Sequence, residues 1–173
     1  MSADPDRALL AASLAFAGAA VVGSAVAIRD ELPGQPCGIS VPLSVPAGLL
    51  AGWGAGVAAP WPMPLAAVIA AVKSQRTGPS ALAGAVCAGI GMGCVLGTAI
   101  EPVTRRPRSW SPATRLAIVF NMAASAALIV AGWRHLTAAR TRPPRTANLD
   151  DARARPLRTS ATRADSAICA DCN

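Results

Sequence analysis

Side chains able to carry chemistry are few in this chain, and they are scattered. There is one histidine, His135, and no tyrosine. Cys169 and Cys172 have CxxC spacing, the form of half a zinc site or of a redox pair. A zinc site needs further ligands, and a thioredoxin-type pair needs a helix N-terminus behind a strand. Neither context surrounds these two residues. Cys87 and Cys94 lie inside an apolar stretch, where thiols act as small apolar groups, and Cys37 stands alone. The glycine-rich runs at 52–56 and 89–93 have the composition of phosphate loops, but no strand precedes them. No constellation specifies a reaction. The expectation is a non-enzymatic protein with no cofactor and no metal.

Three polar residues are better placed. Asn121 interrupts an apolar run, and Ser125 follows one helical turn later on the same face. An unpaired amide in hydrocarbon is costly, so Asn121 should point into a helical bundle, as interhelical glue or as a contact for a solute or ion. Glu101 stands at the end of another apolar run, four residues before Arg105. An ionisable group at a membrane boundary is a functional candidate, and pairing with the arginine is the plainer expectation.

The elements that must position these residues are membrane spans. Hydrophobic residues make up 53% of the chain and charged residues 14%, well below the roughly 25% of soluble domains. Residues 8–28 and 39–72 contain no ionisable group. Such stretches are apolar all round, unlike the amphipathic helices of soluble domains. The fold class expected is all-α: a polytopic bundle of four transmembrane helices at about 8–28, 45–72, 80–100 and 113–133. Residues 1–7 form a short cytoplasmic N-terminus, and 134–173 a disordered basic tail with too few large apolar residues to fold alone.

Asp4 with Pro5 and Ser111 with Pro112 supply an N-cap followed by a first-turn proline. The first span also has a small-x-small sequence at Ala25 and Ala27 that suits signal cleavage, but Asp4 and Asp6 spoil the positive region before it. The second span is irregular. It would be about 42 Å long as a straight helix, beyond one hydrocarbon core. Pro60, Pro62 and Pro64 interrupt it. A kinked, tilted span and a re-entrant break both fit, and the kink within 60–64 is the expectation taken.

Small residues recur every four positions in two spans: Gly48, Gly52 and Gly56, then Ala81, Ala85, Gly89, Gly93 and Gly97. Such stripes let helix backbones approach closely, so the second and third spans are expected to pack along them; an oligomer seam or a pore lining is the functional alternative.

The net charge is +7, and Lys73 is the only lysine. This arginine usage, with abundant alanine, suits a high-GC bacterial genome and hence an inner membrane. Arginines in the tail outnumber those in the loop after the third span, which places both termini in the cytoplasm. Asp30 and Glu31 then share the outer surface with Arg105, Arg106 and Arg108, forming a charge cluster that Glu101 would join. Beside a membrane, the basic tail should meet anionic lipid headgroups before nucleic acid. The expected role is an accessory or scaffold subunit, assembling with itself or with a larger membrane complex. The alternative is a small transporter or channel subunit whose pathway is lined by the broken second span, Asn121 and Glu101. A continuous polar cavity reaching Asn121 separates the two.

Overall fold

The computed structural model describes residues 4–35, 38–39, 41–55, 57–102, 104 and 110–141. Within them the chain is all-helical: α1 (Pro5–Arg29), α2 (Val45–Ala51), α3 (Pro62–Thr77), α4 (Ala81–Ile100) and α5 (Pro112–Thr141). By length and composition α1, α4 and α5 can each cross a membrane.

The helix starts follow the local chemistry. Asp4 caps α1 through the Asp6 N–H at 3.1 Å, and Ser80 caps α4 through the Ala83 N–H at 3.4 Å. Ser111 accepts the Thr114 N–H at 3.1 Å, with Pro112 opening α5. These side-chain oxygens satisfy donors that the first turn leaves without intrahelical partners. Helix α5 continues to Thr141, two turns beyond the apolar run that ends near Trp133.

The second apolar stretch departs from the expected kinked span. It is broken, and the break precedes the prolines. Helix α2 ends at Gly52 in the left-handed region (φ 88°), and Gly54 follows at φ 82°. Residues with a Cβ rarely adopt this conformation, whereas glycine does so freely. The N–H groups of Trp53 and Gly54 both turn back to the Gly48 carbonyl, Ala55 and Ala58 exchange backbone bonds, and the Trp61 N–H reaches Leu49. The segment thus doubles back as a tight turn between α2 and α3. Pro62 then opens α3, and Pro64 lies within its first turn. Prolines are tolerated there because first-turn N–H groups have no intrahelical acceptor to lose.

Helices α1, α3, α4 and α5 form an antiparallel ring. The most extensive interface is α4 with α5, followed by α1 with α5; α1 and α4 lie on a diagonal and scarcely touch. The core is built from Leu9, Phe16 and Leu128 with many alanines, and Cys87 is buried among them. Small residues let the helices approach closely where no water-driven collapse is available.

The close approach, however, does not use the four-residue stripes. A Cβ added at Gly89, Gly93 or Gly97 would meet nothing within 4 Å, and the same holds at Gly52. Gly56 lies outside the described residues. The seam on α4 runs instead through Gly84, Gly91 and Thr98, all buried. A Cβ at Gly84 would stand 2.6 Å from the Leu136 nitrogen, and one at Gly91 would stand 2.7 Å from the Ser125 carbonyl oxygen. The facing residues on α5 are Asn121, Ser125, Leu128, Gly132 and His135, also buried. Spacings of seven hold a helix face, drifting only about 20° per repeat. Spacings of four drift about 40° at each step, so a long stripe winds off the interface.

Candidate functional site

The two ends of the bundle carry different polar arrangements. At the end where α1 and α4 finish and α5 begins, the turn after α2 borders a cavity of about 150 Å³. Its lining includes Trp53, Gly93, Gly97, Thr98, Glu101 and Asn121. The two glycine stripes therefore do meet in part, across open space. Gly52 and Gly93 both border the cavity, and the missing side chains make room for it.

Asn121 is 2% exposed and borders this cavity. Its Nδ2 donates to Thr98 Oγ1 at 3.3 Å. Its Oδ1 has no partner among the described residues, nor does Ser125 Oγ one turn further on. The inward orientation expected for Asn121 is thus observed, but the amide is only half used as glue. A buried carbonyl oxygen without a donor is costly unless something supplies one.

Glu101 is 6% exposed. Its partner is the backbone N–H of Gln35, from the loop after α1. Arg105, with which pairing was expected, lies outside the described residues. The Trp53 indole N–H donates to the Gly34 carbonyl at 3.0 Å, which holds the same loop against the turn after α2.

Burial pushes the Glu101 carboxyl above its usual range, against the opposing pull of the Gln35 N–H. A raised carboxylate pKa means that ionisation lowers folding stability. The penalty is absent below the unfolded-state pKa and fully present above the folded one. Glu101→Gln keeps an acceptor for Gln35 and removes the charge. The variant should therefore melt higher than the wild type in detergent at neutral pH, and the difference should close as pH falls. A lower melting temperature at neutral pH would contradict this.

Of the expected outer charge cluster, Arg105, Arg106 and Arg108 lie outside the described residues. Asp30 has nearer partners. Arg29 bonds it at 2.7 Å, and the hydroxyls of Ser111 and Thr114 donate to it at 3.0 and 3.1 Å. The Arg29 bond, more than those of the hydroxyls, holds the Asp30 carboxyl down at about 2, against desolvation. Asp30 so ties the end of α1 to the start of α5. Glu31 is exposed, with φ 49°.

The opposite end holds a cluster that reading along the chain did not find. His135 is fully buried. Its Nε2 lies 3.0 Å from Ser74 Oγ and accepts the Ser80 N–H at 3.2 Å. Its Nδ1 lies 3.2 Å from Asp6 Oδ1, close but poorly angled for a hydrogen bond. Accepting a backbone N–H at Nε2 places the proton of a neutral ring on Nδ1, facing Asp6. The order Ser74, His135, Asp6 has the connectivity of a hydrolase triad. Two observations give it a structural role. Ser74 is 1% exposed, closed to any acyl substrate, and the Ser80 N–H occupies the lone pair that a general base needs. The cluster joins the start of α1, the ends of α3 and α5, and the turn before α4. The signal in the sequence was positional: each residue stands near the same end of its helix once the chain runs up, down, up and down.

Among the described residues no group of three or more histidine, cysteine, aspartate or glutamate side chains is arranged to hold a metal. Cys37, Cys169 and Cys172 lie outside them. No family model, curated protein or solved structure matches the chain.

Proposed function

We propose that this chain is a four-pass inner-membrane protein with both termini in the cytoplasm, and that it acts as a small transporter or channel subunit with its solute site in the end cavity. The observation that carries this reading is the cavity itself, which reaches the half-satisfied Asn121. In this reading α3 makes the fourth crossing. It runs from Met63, which borders the cavity, to Ser74 in the His135 cluster, and so links the two ends of the bundle. The contact of Asp6 with His135 supports the topology, since it sets the start of α1 beside the end of α5. Below the cavity the interior is filled by Phe16, Cys87 and Leu128, so passage would require the helices to shift. The arginine-rich tail would rest on anionic headgroups.

Cysteine labelling tests both parts. In a background without native cysteines, Asn121→Cys should react in intact cells with a small impermeant thiol reagent, and Gly97→Leu should slow that reaction by filling the cavity. Arg106→Cys should also react, whereas Arg142→Cys should react only after permeabilisation. Labelling at 121 by a lipid-phase probe alone would remove the solute site, and the reverse pattern at 106 and 142 would invert the topology.

A second reading has its own observation. The face of α4 bearing Ala81, Ala85 and Gly89 is exposed, and a Cβ at Gly89 would meet nothing within 4 Å. It suits an accessory or scaffold subunit that packs against another membrane protein or a second copy. Stable co-purification from mild detergent, lost in Gly89→Leu, would favour it.

A further inference from the structure

We infer that the end cavity takes a small primary ammonium ion, held between the Glu101 carboxylate and the Asn121 carbonyl oxygen. The inference rests on the solute-site reading above and adds the class of solute.

Three features point to this chemistry. The first is the sign of the charge. Glu101, almost fully buried, is the one carboxyl group among the described residues that border the cavity, and no Lys, Arg or His is among them. A buried carboxylate that ionises is costly without a counter-charge, and the Gln35 N–H supplies only a dipole. A cationic occupant would supply the balance.

The second is the direction of the available hydrogen bonds. Asn121 gives one of its two amide N–H donors to Thr98, and its Oδ1 is a buried acceptor with no partner among the described residues. Glu101, when ionised, is an acceptor only. Two buried acceptors in one cavity call for an occupant that donates. An –NH3+ group has three donors and no acceptor, and a bond from a charged donor is roughly twice as strong as a neutral one.

The third is the lining. Apart from these side chains and Thr98 it is largely apolar, with glycine, alanine, Trp53, Pro60 and Met63. An alkali ion would seek a nearly complete oxygen shell. An alkylammonium needs fewer oxygens and has a carbon tail for the apolar wall. The Trp53 ring offers the kind of face on which cations rest. A cavity of about 150 Å³ has room for only a few heavy atoms.

The test uses the full-length protein in nanodiscs and isothermal titration with ethylammonium, acetamide and sodium as separate chlorides or neutral solute. Ethylammonium should bind at one saturable site. Glu101→Gln and Asn121→Leu should each weaken it by about tenfold or more, while Asn121→Asp, which restores an acceptor, should retain it. A folded wild-type protein that binds no ethylammonium overturns the inference. So does sodium competing at equal concentration, which would mean an oxygen cage for an alkali ion. Acetamide binding with the same dependence on Asn121, and no ethylammonium binding, would also overturn it; the cavity would then remain a solute site, but for a neutral amide. Cysteine reactivity at 121 reports on the cavity independently of all three ligands.

Discussion

Leucine at Gly132 should leave no folded bundle in mild detergent, whereas leucine at Gly89 should leave its melting temperature within a few degrees of the wild type. A Cβ at Gly132 would lie 2.6 Å from the Ala88 nitrogen and 2.7 Å from the Gly84 carbonyl oxygen, both backbone atoms that cannot swing aside. The facing glycine doubles the problem, since Gly84 stands equally close to Gly132 and Leu136. Overpacking a core ordinarily costs about 1–3 kcal/mol. Here it would drive apart the most extensive helix interface in the chain. At Gly89 the added side chain meets open space. Equal melting temperatures for the two variants would mean that the seven-residue seam does not hold the bundle.

The second large effect is expected at the opposite end. His135→Leu should lower stability by about 3 kcal/mol, judged from buried hydrogen-bond loss of about 1–3 kcal/mol per orphaned group. The Ser80 N–H would lose its side-chain acceptor, and the Ser74 hydroxyl would keep only its longer contacts, to Asp6 and the Gly78 carbonyl at 3.4 Å. Because four segments converge on the ring, loosening should appear in all of them at once. Hydrogen exchange should rise at the start of α1, the ends of α3 and α5, and the 78–80 turn. A rise confined to α5 would show that the ring serves its own helix only. Ser74→Ala should have a smaller effect, because it leaves the Ser80 bond to the ring intact.

Several elements were legible in the sequence because single local causes decide them. Runs without charged residues fix α1, α4 and α5, and Asp4 and Ser111 fix where α1 and α5 begin. The inward turn of Asn121 follows from the cost of an amide in hydrocarbon. The second stretch was harder. Prolines draw the eye as breakers, yet the turn is made by Gly52 and Gly54 at positive φ, and the prolines serve to start α3. The glycine stripes misled for a different reason. Counting by four selects residues that neighbour one another on a single helix, whereas a sustained interface between two helices selects counting by seven. His135 looked solitary because its partners are distant in sequence and common in type. Only the antiparallel order of the helices brings Asp6 and Ser74 to it.

The pairing of α1 with α5 has a consequence for biosynthesis. Helix α1 meets α5 at both ends, through the Ser111 and Thr114 hydroxyls that donate to Asp30 and through the close approach of Asp6 to His135. A nascent chain that has delivered α1 to the bilayer must therefore hold it there, with Ser13 and Ser24 on its inward face, until the ribosome has passed residue 135. The α3–α4 hairpin is made in the interval from neighbouring sequence, and α5 then closes the ring by filling the gap between α4 and α1. Until that moment the Gly84 and Gly91 face of α4 lies open to any other helix in the membrane.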